Sequence, residues 1–309
     1  MEPTTELLNR AVIDRLTSDD PGMVKEAVTA INEYTRVKLR EDGFLRRVLP
    51  PLTITEFDRQ VDTDKPVKVV DKEPDSPAAI SVPFGSSPMN RYIRGPRYRV
   101  MFDRILTPKF TKDVVELMTW HMDIRQILSD NAIKDMMAEE DNKFLLAVNT
   151  VLVAPGSVLP DTGIAQWVTL SGGVTRDTLA AAMQVLPGSF QRLVAATVLV
   201  NQITIWEFVK WGRDEVGGDD AQATLRQGFQ ERELMGVRFI VTIKWDLVPT
   251  NTIFLFAEPK FLGKLYMIED VTMYVNKRAF MLEFFAYECL GGAIGNVAAV
   301  GRVDFTTET

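Results

Sequence analysis

Prolines crowd one stretch of this chain and are missing from the next. Eight of the sixteen lie between Pro50 and Pro96 (Pro50, Pro51, Pro66, Pro74, Pro77, Pro83, Pro88, Pro96), whereas residues 111–149 contain neither proline nor glycine. Proline lacks an amide hydrogen and restricts the residue before it, so 50–96 reads as extended or polyproline backbone. Val67 and Val69, then Ile80, Val82 and Phe84, alternate as strand residues do, around the turn-rich Lys72-Glu73-Pro74-Asp75-Ser76-Pro77. A long two-stranded hairpin is marginal in water by itself. It must lie on something, and a hairpin that projects from the body finds its support on a neighbouring subunit.

The proline-free stretch is its opposite. Ile124, Ile127, Leu128, Ile133, Met136, Met137, Phe144, Leu145 and Val148 recur at helical spacing and predict a long amphipathic helix, capped or interrupted near Asp130 and Asn131. Asp135, Glu139, Glu140 and Asp141 read as an acidic face turned to water or to a basic partner. They lack the Asp-x-Asp-x-Asp-Gly loop of a calcium site.

Before the proline-rich stretch, Leu7, Leu8, Ala11, Val12 and Leu16 keep helical spacing until Asp19-Asp20-Pro21-Gly22. A second helix is expected from Met23, with Val24, Ala27, Val28, Ile31 and Tyr34 on one face. Section 36–47 is basic (Arg36, Lys38, Arg40, Arg46, Arg47) and reads first as a solvated helix end, ahead of a contact with an acidic partner surface or with nucleic acid. Arg91–Lys112 carries seven Lys/Arg and one Asp, with Tyr92, Tyr98, Phe102 and Phe110 interleaved. That mixture could bind single-stranded nucleic acid, but the strict alternation from Arg97 to Phe102 favours a strand.

The second half mixes both periodicities. Thr175 to Met183 reads as a capped, alanine-rich helix, and residues 196–200 as a buried strand. A helix follows through Ile205-Trp206-Glu207-Phe208-Val209-Lys210-Trp211, and Gly217–Asp220 marks an exposed loop. Strands are expected at 237–243, 252–257, 267–275, 280–287 and 297–305. The class is α+β.

Catalytic chemistry has little to work with. One cysteine, Cys289, excludes an internal disulfide and a thiolate zinc cage; one histidine, His121, excludes a multi-histidine metal site. There is no Walker lysine loop and no Gly-x-Ser-x-Gly elbow, and Gly291-Gly292-Ala293-Ile294-Gly295 is not the dinucleotide fingerprint. Those glycines read as permitting a bend or bulge between strands. The charge-free run between Glu288 and Arg302, thirteen residues long, is too short to span a bilayer. We therefore expect no enzyme activity, no catalytic residue, no metal, no cofactor and no membrane contact.

This order of parts resembles the major capsid proteins of tailed bacteriophages, with their Hong Kong 97-type fold. The passages that carry the likeness are Thr175-Arg176-Asp177-Thr178-Leu179 through Met183, Val198-Leu199-Val200-Asn201 before Trp206-Glu207-Phe208, and Glu233-Leu234-Met235-Gly236-Val237-Arg238-Phe239-Ile240-Val241. Phe256-Ala257-Glu258-Pro259 with Leu262-Gly263, and Phe284–Glu288 through Ala298-Ala299-Val300, complete it. The resemblance implies an N-terminal arm (1–49), an extended hairpin or E-loop (50–105) and a P-domain with its spine helix (106–154). It further implies an A-domain (155–270), P-domain strands (271–295) and an A-domain return (296–309).

By that resemblance the chain forms hexamers and pentamers of an icosahedral shell around double-stranded DNA, bound without sequence specificity. The expected location is the virion, with assembly in the host cytoplasm. No charged prodomain precedes the arm, so a separate scaffolding protein is expected, beside a portal and a decoration or cement protein. Some members cross-link E-loop lysines to a neighbour's asparagine. Lys65, Lys68 and Lys72 are available, but Phe280-Met281-Leu282 stand where that asparagine belongs, which predicts a non-covalent shell. The subunit-contact candidates are Arg94, Arg97, Arg99, Lys65 and Lys68, with the arginines meeting a neighbour's Glu139, Glu140 and Asp141. Loops near Gly217–Asp220 are expected at capsomer centres. The rival readings are an encapsulin-like nanocompartment, a nucleic-acid-binding module built on 91–112, and a carboxylate-dependent hydrolase.

Overall fold

The computed structural model describes residues 5–16, 18, 20–29, 31, 43–55, 60–62, 65–71, 83–85, 97–118, 124–209, 231–234 and 236–306. In chain order its first elements are α1 (Thr5–Leu16), α2 (21–29), α3 (Phe44–Val48), β1 (Pro51–Thr53), β2 (Gln60–Asp62) and β3 (Lys65–Asp71). There follow β4 (Arg97–Met101), β5 (Asp103–Leu106), β6 (Phe110–Asp113), α4 (Val114–Met118) and α5 (Ile124–Leu152). Next come β7 (Trp167–Ser171), α6 (Arg176–Met183), β8 (Thr197–Asn201), α7 (Gln202–Val209), β9 (Glu231–Leu234) and β10 (Val237–Thr242). The chain closes with β11 (Thr252–Phe256), α8 (Pro259–Leu262), β12 (Gly263–Arg278), β13 (Met281–Ile294) and β14 (Val300–Thr306).

The first two helices break where the sequence says they must. Asp20 accepts the Gly22 amide at 2.9 Å and opens α2, with Pro21 at its first position, where a missing amide hydrogen does no harm. Ile13, Leu16, Ala27 and Ile31 are buried, and α1 packs on α4 and α5 of its own chain. The described part of the arm thus lies back on the body.

The proline-dense segment builds a three-stranded antiparallel sheet, β2-β3-β4. Asp71 faces Arg97 and Val67 faces Met101, so the second leg of the projecting hairpin is 97–101. Of the expected leg around Ile80, Val82 and Phe84, only 83–85 is described; it is a turn with Phe84 fully exposed, and Ile80 and Val82 lie outside the described residues. The alternation from Arg97 to Phe102 belongs to that leg, with Val100 buried and Arg97 and Arg99 exposed.

Below the hairpin is a five-stranded sheet in the order β1-β12-β13-β5, with β6 also paired to β13. Leu282, Phe284, Ala286 and Leu290 alternate on the buried face of β13. Against them lies α5, unbroken through Asp130 and Asn131 for 29 residues, or about 43 Å. It buries Met136, Met137, Phe144, Leu145, Val148 and Leu152; the side chains of Ile124 to Ile133 lie outside the described set. β12 starts at Gly263, ahead of the strand start expected at 267, because buried Leu265 already belongs to this sheet. The glycines at 291 and 292 make no bend. β13 continues through them, and a Cβ at Gly291 would overlap the Met101 carbonyl, so close backbone approach is the reason for that glycine.

The six-stranded sheet, ordered β7-β14-β11-β8-β10-β9, joins the same hydrophobic core. Every residue of β8 and β11 is buried, the pattern of strands covered on both faces. Thr175 caps α6 through a reciprocal pair with Thr178, as its sequence predicts. Arg302 fastens this sheet to the end of α5: it donates to Asn149 at 3.0 Å and lies 4.0 Å from the Trp167 ring.

Candidate functional site

A gap in one periodicity and an intruder in another meet at the centre of the molecule. The α5 stripe passes from Met136 and Met137 to Phe144 and Leu145, and the intervening stripe positions are Glu140 and Asp141. On β13 the apolar alternation is interrupted by Glu288. Charged residues at core positions need partners. They find them on α3. Arg46 donates from Nε to Glu140 Oε2 at 3.0 Å and from Nη2 to Glu140 Oε1 at 2.7 Å. The same Nη2 reaches Glu288 Oε2 at 2.7 Å, and Nη1 stands 3.6 Å from Asp270 Oδ1 on β12. The Arg46, Glu140 and Glu288 side chains are 2%, 1% and 0% exposed, so this is a buried junction of α3, α5 and the β12–β13 pair.

One residue along, Asp141 does a second job. Gly43 precedes α3 and has no side chain to cap it, and Asp141 accepts the Leu45 amide at 3.0 Å instead. Its other oxygen takes Lys244 Nζ at 2.6 Å, and that ammonium also donates to the Met137 carbonyl and lies 5.6 Å from the Phe44 ring. Lys244 follows β10, so the paired acids of α5 grip α3 with one hand and the six-stranded sheet with the other.

Carboxylates outnumber cations here, and burial decides the protonation. Burial, followed by the neighbouring Glu140, pushes Glu288 up to about 10 against the pull of Arg46. Burial likewise raises Asp141, opposed by Lys244. Glu288 Oε1 and Arg46 Nη1 are buried without a hydrogen-bond partner, as expected where three elements converge on one guanidinium.

The contact candidates from the sequence separate into two groups. Glu139 is exposed and lies 4.0 Å from Lys143. Glu140 and Asp141 are not part of a solvated acidic face: they point inward and hold Arg46 and Lys244 of their own chain. Helical spacing alone explains why, since 139 falls off the buried stripe and 140 and 141 fall on it. Arg97 is exposed and donates to Asp71 at 2.7 Å across β3–β4; Arg99 shares its exposed face, and Lys68 is half-buried on β3. Arg94, Lys72, His121, Gly217–Asp220 and the Lys65 side chain lie outside the described residues. The basic section does not end in solvent at Arg46, which is buried against carboxylates of its own chain instead of facing water or a partner. Lys244, Asp270 and the role of Glu288 were missed; the signal for Glu288 was its place in the alternation.

Among the described residues no group of three or more His, Cys, Asp or Glu is placed to hold a metal ion, and no helix is long and apolar enough to cross a membrane. No protein-family model matches the chain, and no curated protein matches it. Solved structures do. The mature capsid of bacteriophage PhiM1 superposes with a TM-score of 0.59 at 11% identity, over 86% of this chain and 87% of that one. The capsid of the native GTA particle gives 0.59 at 14% identity, over 85% and 89%. The capsid of cyanophage P-SCSP1u gives 0.57 at 10% identity, over 87% and 90%.

The chain has the Hong Kong 97-type capsid fold. The Arg46 junction sits where α3, α5 and the β12–β13 pair meet, and the Lys244–Asp141 pair ties the segment after β10 to the same point.

Proposed function

We propose that this chain is a major capsid protein that self-assembles into hexamers and pentamers of an icosahedral phage head enclosing double-stranded DNA. The observation that carries the reading is the match to phage and GTA capsids over more than four-fifths of both chains. A subunit of this kind works by geometry. Many modest lateral contacts sum to a closed shell, so no catalytic residue, metal or cofactor is required.

Lateral contacts run through the E-loop and the arm and are non-covalent. Arg94, Arg97, Arg99, Lys65 and Lys68 are the E-loop candidates, and Glu139 is the exposed acid of the spine helix available to a neighbour. Partners in the head are further copies of the chain, a scaffolding protein, a portal, a decoration or cement protein, and the packaged DNA. The site of action is the virion, after assembly in the host cytoplasm.

The test is expression of the chain, alone and with its scaffold, followed by negative-stain electron microscopy. Closed shells or capsomer rings are expected, and a phage-sized diameter separates a head from a nanocompartment. Monomers under both conditions would sink the reading. Bands surviving boiling in denaturing electrophoresis would show that the shell is cross-linked after all.

A further inference from the structure

Two groups of exposed apolar side chains lie at opposite ends of the six-stranded sheet. β8 and β10 are parallel and in register, with Asn201 facing Thr242, so α7 and the loop after Thr242 leave from neighbouring strands. Asn201 donates to the Val248 carbonyl at 2.8 Å, and the Asn251 amide donates to Thr204 at 2.9 Å, which holds that loop against the first turn of α7. The helix buries Thr204, Ile205 and Phe208 and turns Ile203 and Trp206, three residues apart, outward. On the loop, Ile243 and Trp245 are 74% and 71% exposed. Lys244 between them is drawn inward to Asp141, so its charge does not sit in the patch.

The second group stands where β8 begins. Phe190 is 74% exposed, yet its ring lies on Gly163, where any Cβ would overlap it. Its amide donates to the Thr162 carbonyl at 3.1 Å. Val158, bridged to Ala165 ahead of β7, and Val194, ahead of β8, are 60% and 70% exposed. The five residues of β8 put about 16 Å between the two ends.

The geometry points to a head-to-tail contact in which Ile203, Trp206, Ile243 and Trp245 of one copy seat against Val158, Phe190 and Val194 of the next. This rests on the chain being a shell subunit. A two-fold dimer needs one self-complementary surface, whereas a ring of copies needs two different ones on opposite sides, and this sheet carries two. The chemistry matches, apolar on apolar, with tryptophans and a phenylalanine as anchors. The two tryptophans alone offer on the order of 250 Å² of the ~800 Å² each partner contributes to a stable interface.

The test uses the full chain with Cys289→Ser. A Trp245→Cys chain and a Phe190→Cys chain are mixed, assembled and treated with a short bismaleimide. Cross-linked dimers at least tenfold above either variant alone are expected. Assembled particles without that product would overturn the proposal. So would a cross-link within one chain between Trp245→Cys and Val216→Cys, which would show that segment 210–230 covers the patch instead. In parallel, Trp245→Asp and Phe190→Asp should each lower the assembled fraction at least tenfold with unchanged circular dichroism. Wild-type shells with unaffected variants would sink this contact alone, whereas a wild type that never assembles would sink the shell reading with it.

Discussion

Two arginines fasten α5 to the rest of the molecule, and they do it differently. Arg46 holds the middle of α5 inside the core, facing Glu140, Glu288 and Asp270. Arg302 holds the C-terminal end nearer the surface, with one carboxylate, Asp304 at 3.1 Å, and the faces of Trp167 and Phe254. Asp304 is shared further, accepting the Trp167 indole at 2.6 Å and the Thr252 hydroxyl at 2.8 Å. At the first junction carboxyls exceed the one cation, and burial raises Glu288. At the second the charges match and the aromatic faces supply the rest. A buried junction of the first kind adds little net stability over an apolar one, because desolvation offsets the attraction. What it does is fix where α3 sits, since no other position satisfies those charges.

The largest expected effect comes from breaking the first junction on one side. Arg46→Met leaves Glu140 and Glu288 buried without their cation and should cost about 3–5 kcal/mol in denaturant unfolding. Adding Glu140→Leu and Glu288→Leu should recover most of that loss. If the single variant were as stable as the wild type, the junction would have no structural weight.

Next is the pH response. Glu288 is raised in the fold above the ordinary 4.5, so its stabilisation is complete below that value and is lost as pH rises through about 10. The midpoint Tm should fall between pH 7 and pH 10.5 by about 5 °C or more, and Glu288→Gln should flatten that slope. An unchanged slope in Glu288→Gln would place the proton elsewhere.

Arg302→Lys keeps the charge but loses the flat guanidinium that lies over Trp167 while donating to Asn149. A loss of about 1–2 kcal/mol is expected, visible as a lower urea midpoint at unchanged slope. Smallest of all, the pair Arg97–Asp71 is exposed at both ends. Arg97→Ala should change subunit stability by no more than about 0.5 kcal/mol. Any larger effect of that substitution should appear only in assembled shells, where light scattering of assembly reads it.

Much of the fold was legible because single-chain periodicity carries it. The proline-poor helical stripe, the break at Pro21, the Thr175 cap and the buried strands at 197–201 and 252–256 all follow from local rules. The site was legible only in part. Glu139, Glu140 and Asp141 look alike as a charge run, and only their angular positions separate one surface acid from two core acids. Arg46 and Arg47 look alike too, yet Arg46 is buried and Arg47 is half-exposed. The partner of β3 was misplaced because prolines and turns between 72 and 96 carry no pairing information, while the register is set by β4 across the gap.

By itself, the sequence determined which segments are extended, which are helical and which faces are apolar, since those depend on dihedral restrictions and on spacing along one element. Only the tertiary structure decided which charges are internal. Arg46 and Glu288 are 242 residues apart, and their 2.7 Å contact exists because α5 and β13 bring a helix stripe and a strand alternation face to face. A charge run carries no record of what will cover it. Burial is a property of the packed elements, and it is burial that turns two glutamates and an arginine from surface charges into a junction.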